Sequence, residues 1–168
     1  MDILTRNTIR LSSITIGFMA VAAVFSLGVM GSMAAASAQP ETYRTVAGTG
    51  IGTITVNNVT VENVALDFSA STNASGEKIV DGAFTMTNSN GEVIGSGTVN
   101  AGQLEDNDFQ LKGPLGANGI MGVNSGKDFK LSGQIGVDVP VNFDGRLPGG
   151  GCRGLFTATV ELMDREPT

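Results

Sequence analysis

The chain reads as an all-β domain, an antiparallel sandwich or small up-and-down barrel of about eight to ten short strands, preceded by an N-terminal hydrophobic signal or anchor helix. Three observations predict it. Apolar residues alternate with polar ones over most of the span from Ile54 to Leu162. Turn-forming pairs such as Asn57-Asn58 and Asn90-Gly91 break that alternation at short intervals. Beyond the first forty residues no stretch carries an apolar stripe of helical period.

Residues 1–38 form the leader. Arg6 and Arg10 precede an uncharged run from Leu11 to Met30, and the next charged side chain is Glu41. Ala36-Ser37-Ala38 then offers a small-residue cleavage site, between Ala38 and Gln39. A basic start, an apolar middle and this ending read as an export signal. As a helix, residues 11–30 would span roughly 30 Å, enough to cross a bilayer, so an uncleaved membrane anchor is the alternative. Either way the arginines keep the N-terminus in the cytoplasm and send the rest across, to the cell envelope or the exterior. Arg6 and Arg10 are not adjacent, which leaves a twin-arginine route without support.

After the leader the sequence predicts a short tether over 39–50, a single β domain over 51–163 and a C-terminal tail over 164–168. Ile54-Thr55-Val56 and Val59-Thr60-Val61 flank Asn57-Asn58, predicting a two-residue hairpin with Val56 opposite Val59 and Ile54 opposite Val61. The phase slips at Glu62-Asn63, as at a β-bulge, before Val64, Leu66, Phe68 and Ala70 resume it. Residues 71–77 are polar and turn-like. Phe84 and Met86 lead into Asn90-Gly91, a turn that sets Met86 against Gly95 and Phe84 against Gly97.

A weak repeat follows. Asp108-Phe109-Gln110-Leu111-Lys112-Gly113 recurs as Asp128-Phe129-Lys130-Leu131-Ser132-Gly133, each expected to precede a strand of smaller residues, 120–123 and 135–139. From Phe129 to Phe143 one parity is apolar or glycine throughout, which is too long for one straight strand, so a bend or hairpin is expected at 133–136 and an edge or bulge at Pro140. The last strand is predicted over 156–162. Phe68, Phe84, Phe109, Phe129, Phe143 and Phe156 should meet in one core.

Composition limits the chemistry. The chain has 10 Lys+Arg and 16 Asp+Glu; without Arg6, Arg10 and Asp2 the exported part keeps 8 and 15, a net charge of −7. That sign repels nucleic acid and anionic lipid. The membrane is therefore a partner only through an uncleaved leader. The sequence contains no histidine, which removes the usual general base and the commonest zinc ligand. One cysteine, Cys152, excludes an internal disulfide. It follows Gly149-Gly150-Gly151 and precedes Arg153, so a loop thiol of lowered pKa, available for an intermolecular disulfide, is the reactive reading.

Glu105, Asp106 and Asp108 form an acidic cluster, a candidate calcium site whose spacing matches no EF-hand; no other cofactor is expected. Asn58 and Asn73 begin two N-x-[ST] sequons, candidates for glycosylation in a host that modifies exported proteins. No catalytic residue stands out. The expected role is a non-catalytic binding, adhesive or envelope structural domain with an extracellular protein or glycan partner. Alternatives are a barrel carrying a small apolar ligand and, further off, a carboxylate-dependent hydrolase.

Overall fold

The computed structural model describes residues 41–145 and 151–165. The predicted leader, the Ala38–Gln39 cleavage candidate, Gly149-Gly150 and the last residues of the tail lie outside them. Among the described residues no helix is long and apolar enough to cross a membrane.

Among the described residues nine strands follow one another: β1 Tyr43–Val56, β2 Val59–Thr72, β3 Ile79–Thr87, β4 Val93–Val99, β5 Ala101–Glu105, β6 Asp108–Ile120, β7 Asp128–Gln134, β8 Gly136–Gly145 and β9 Cys152–Arg165. They pair in the order β4-β3-β2-β1-β9-β8-β7-β6-β5, and β4 also pairs with β6. That last pairing, Gly95↔Ile120 and Gly97↔Leu115, closes an antiparallel eight-strand barrel in which β5 is an extra strand. β5 continues β4 past Asn100 and pairs with the first half of β6, from Ala101↔Lys112 to Glu105↔Asp108. Closure pairs both edges of the eight-strand sheet, while the short extra strand β5 has a ladder partner on one side and a single bridge, Lys78↔Gln103, on the other. The barrel, not the sandwich, is the fold.

The predicted hairpins form. Val56 lies opposite Val59 and Ile54 opposite Val61, with Asn57 and Asn58 both at positive φ, as a type I′ turn requires. The slip between Gly52↔Val64 and Ile54↔Val61 is the bulge, with Asn63 at φ 57°. Phe84↔Gly97 and Met86↔Gly95 pair as expected. All six phenylalanines are buried in one cluster. Phe84, Phe129 and Phe143 pack ring to ring at 4.6 to 5.9 Å, and Phe68 meets Phe109 at 5.3 Å.

Several expectations are corrected. β1 starts at Tyr43, inside the predicted tether, because Gly48, Gly50 and Gly52 occupy its inward positions and leave no alternation of side chains to see. Those gaps are filled from neighbouring strands: a Cβ on Gly48 would stand 2.6 Å from the Phe68 ring. β9 extends to Arg165, into the predicted tail, since Asp164 and Arg165 pair with Arg44 and Tyr43. Residues 108–120 form one strand, not a Phe-bearing strand plus a second one at 120–123. Between Phe129 and Phe143 a hairpin does intervene, but the apolar parity does not stay inward: Val137 at the turn is 74% exposed. β1, β2 and β9 have 14 residues each, longer than expected, because strands in a closed barrel tilt around its axis.

Candidate functional site: the outer wall of β6 and β7

The sequence repeat pairs with itself. Asp108–Gly113 on β6 runs antiparallel to Asp128–Gly133 on β7, with Phe109↔Gly133, Leu111↔Leu131 and Gly113↔Phe129. A local two-fold through the Leu111↔Leu131 pair relates the two copies. On the inner face each phenylalanine lies opposite the other copy's glycine, so neither ring meets a facing side chain. A Cβ on Gly133 would already come within 3.3 Å of Phe109 Cε1.

On the outer face the same symmetry sets like against like. Lys112 lies directly opposite Lys130, and Gln110 opposite Ser132. Directly opposed like charges on a sheet are destabilising. The lysine rung continues across the wall: Lys130↔Asp144 on β8 and Asp144↔Arg153 on β9. It therefore carries three cations and one carboxylate, on a domain of net negative charge. Among the described residues none of the three cations lies within ion-pair distance of a carboxylate; the pair that does form is Arg44 Nε to Asp164 Oδ1, 3.5 Å, on β1 and β9.

Two clefts open on this wall, one at each end of the two-fold. The first, about 410 Å³, is lined by two lysines and two carboxylates, Lys112, Lys130, Asp128 and Asp144, together with Asn100 and Phe129. It lies where Asn100 interrupts β4 and β5. The second, about 360 Å³, lies over the other Phe–Gly pair and is lined by Gln103, Gln110, Ser132 and Gln134 together with Glu105 and Asp108. Both clefts carry carboxylates: in the first they stand beside two lysines, in the second among amides with no cation.

The acidic cluster forms the β5–β6 hairpin, with Glu105↔Asp108 paired and Asp106 at φ 54°. Among the described residues no group of three or more His, Cys, Asp and Glu side chains is gathered to hold a metal ion. Asn58 is exposed in its turn. Asn73 is half-buried, and its Oδ1 accepts hydrogen bonds from the Ser75 amide (3.2 Å) and hydroxyl (2.7 Å).

Cys152 differs most from expectation. It opens β9 instead of ending a loop, and its side chain points into the core with no exposure. Burial first, and the Asp144 carboxylate second, push its thiol up to about 11 rather than down. A thiol so placed is not presented to a partner chain while the barrel is closed.

The site's lysines were not singled out from the sequence. The repeat was visible, but only the antiparallel pairing of its two copies shows that Lys112 and Lys130 meet. Compared with protein-family models, curated proteins and solved structures, the chain matches none.

Proposed function

We propose that this is an exported, non-catalytic binding module that acts through the outside of its barrel, at the wall formed by β6 and β7. The observation that carries this reading is the pair of clefts over the self-paired repeat, with polar side chains aligned in register across four strands. Two further features support it. The inward side chains form one cluster of buried apolar residues that includes six phenylalanine rings, which favours a packed core over a ligand chamber. Outward positions of the strands are mostly Thr, Ser, Asn, Asp and Lys, unlike the apolar band of a barrel that faces lipid.

The export address rests on the leader: its arginines, its uncharged run and its Ala-x-Ala ending. Co-sedimentation of the purified protein with insoluble envelope polymers tests the binding role. Retention by at least one polymer, competed by its soluble fragments, is expected. Uniform passage, or a tightly held apolar molecule in native mass spectrometry, would favour the carrier reading instead.

A further inference from the structure

We infer that Asn90, at the tip of the β3–β4 hairpin, is a site of spontaneous covalent modification, losing its side-chain amide to become aspartate or isoaspartate and so loosening the seam that closes the barrel. The residue pair carries the chemistry. Glycine lets the following backbone nitrogen swing most freely onto an asparagine side chain, and the chain has two such pairs, Asn90-Gly91 and Asn118-Gly119. The Gly91 nitrogen attacks Asn90 Cγ, its proton leaves with the side-chain nitrogen as ammonia, and a cyclic succinimide remains. Water then opens the ring. Cleavage at Cγ leaves aspartate, whereas cleavage at the main-chain carbonyl leaves isoaspartate, in which the chain runs on through Cβ. Water enters and ammonia departs, with no redox partner.

The fold separates the candidates. Ser89, Asn90, Gly91, Glu92 and Val93 are all exposed. A Cβ at Gly91 would meet nothing within 4 Å, and its N–H is tied by a turn bond to Asn88 O at 3.0 Å. Asn118 is exposed too, but Gly119 is buried, enclosed by the backbone of Val123 and Ser125. The Gly122 N–H also donates to Asn118 O (3.0 Å), and Ile120 exchanges both backbone bonds with Val123 (2.9 and 3.1 Å), so ring closure there would have to undo packed backbone. Asn73 and Asn88 precede the small residues Ala74 and Ser89, yet the Oδ1 of each already accepts two hydrogen bonds.

The consequence follows from where the turn sits. The Asn88 N–H donates to Glu92 O (2.8 Å), and Asn88 Oδ1 accepts from the amides of Asn90 and Glu92 (both 2.9 Å), which fixes where β4 starts against β3. That ladder already slips between Met86 and Thr87. An extra backbone carbon at Asn90 moves the Glu92 amide out of this geometry and sets a new carboxylate close to Glu92. β4 is also the strand whose pairings with β6, Gly95↔Ile120 and Gly97↔Leu115, close the barrel. Weakening its first end lowers the free energy of local opening there.

Ageing the purified protein at mildly alkaline pH, folded and in parallel in denaturing urea, tests this by peptide mapping and an isoaspartate methylation assay. In the folded protein Asn90 should convert several times faster than Asn118. Unfolding should bring the two rates together, because the pairs are locally alike. Asn90→Gln should remove most of the isoaspartate formed by the folded protein and leave the unfolding midpoint of fresh protein unchanged. In hydrogen exchange, β4 amides of the aged parent should open earlier than those of fresh protein, while amides of β1 and β9 keep their rates. Equal conversion of Asn90 and Asn118 in the folded state, or conversion chiefly at another asparagine, would overturn the site. Isoaspartate at Asn90 with β4 exchange unchanged would overturn the loosening of the seam.

Discussion

Gly50 has no room for a methyl group. A Cβ there would stand 2.7 Å from Ala158 Cβ and 2.8 Å from Ala158 Cα on β9, so β1 and β9 approach at a distance only glycine permits. Gly50→Ala should therefore lower stability by roughly 1–3 kcal/mol, read from the urea midpoint, because the obstacle is backbone rather than a flexible side-chain end. An unchanged midpoint would mean the strands are not so close. Cys152 gives a second prediction at this scale. Its folded pKa of about 11 lies above the ordinary value of 9.0, so the folded state holds the proton more tightly than the unfolded chain does. The contribution is complete below pH 9.0 and is lost as pH rises through about 11. Unfolding midpoints of the parent should fall more steeply across that window than those of Cys152→Ala, with Lys and Tyr titration common to both. The native thiol should also resist a disulfide reagent until the protein is unfolded.

Hairpins show how much of an element can be read from its own residues. Asn57-Asn58 specified both the turn and the register of its strands, because Asn tolerates the positive φ that a type I′ turn demands. Its second position, at φ 68°, is the one where glycine is preferred, so Asn58→Gly should raise stability by a few tenths to about 1 kcal/mol. Thermal unfolding would check it, and a loss would contradict the turn type. Where side chains are missing or the partner is distant, local reading fails. The inward glycines of β1 hid eight residues of strand, Tyr43 to Gly50, from a pattern that counts side chains. Cys152 looked like a loop residue because its neighbours are glycines, yet it faces Val56 on a strand nearly a hundred residues away in sequence. The candidate site was half legible in the same sense. The repeat could be seen along the chain, but the opposition of Lys112 and Lys130 exists only once its copies fold together.

At the scale of the whole barrel, the pairings are uneven. β1 and β9 share an unbroken register from Cys152↔Val56 to Arg165↔Tyr43, whereas the β4–β6 closure rests on Gly95↔Ile120 and Gly97↔Leu115 with a slip between them. Hydrogen exchange should follow that difference: amides of β1 and β9 should open only with global unfolding, and those of β4 should exchange earlier, through local separation of the seam. Equal protection throughout would indicate a single cooperative unit. Barrel closure itself was beyond sequence reading, since alternation describes each strand's two faces equally well in a sandwich and in a cylinder.

The neighbouring ends of β1 and β9 carry one more consequence. Tyr43 and Arg165 stand side by side at one rim, so tension applied to the chain's two termini would peel the β1–β9 ladder one rung at a time instead of shearing its rungs together. Hydrogen bonds loaded singly give way at small force. Under load, then, this domain should behave as a zipper fastened at its weakest corner, and stretching single molecules in an optical trap should show extension beginning at these two strands well before the self-paired repeat comes apart.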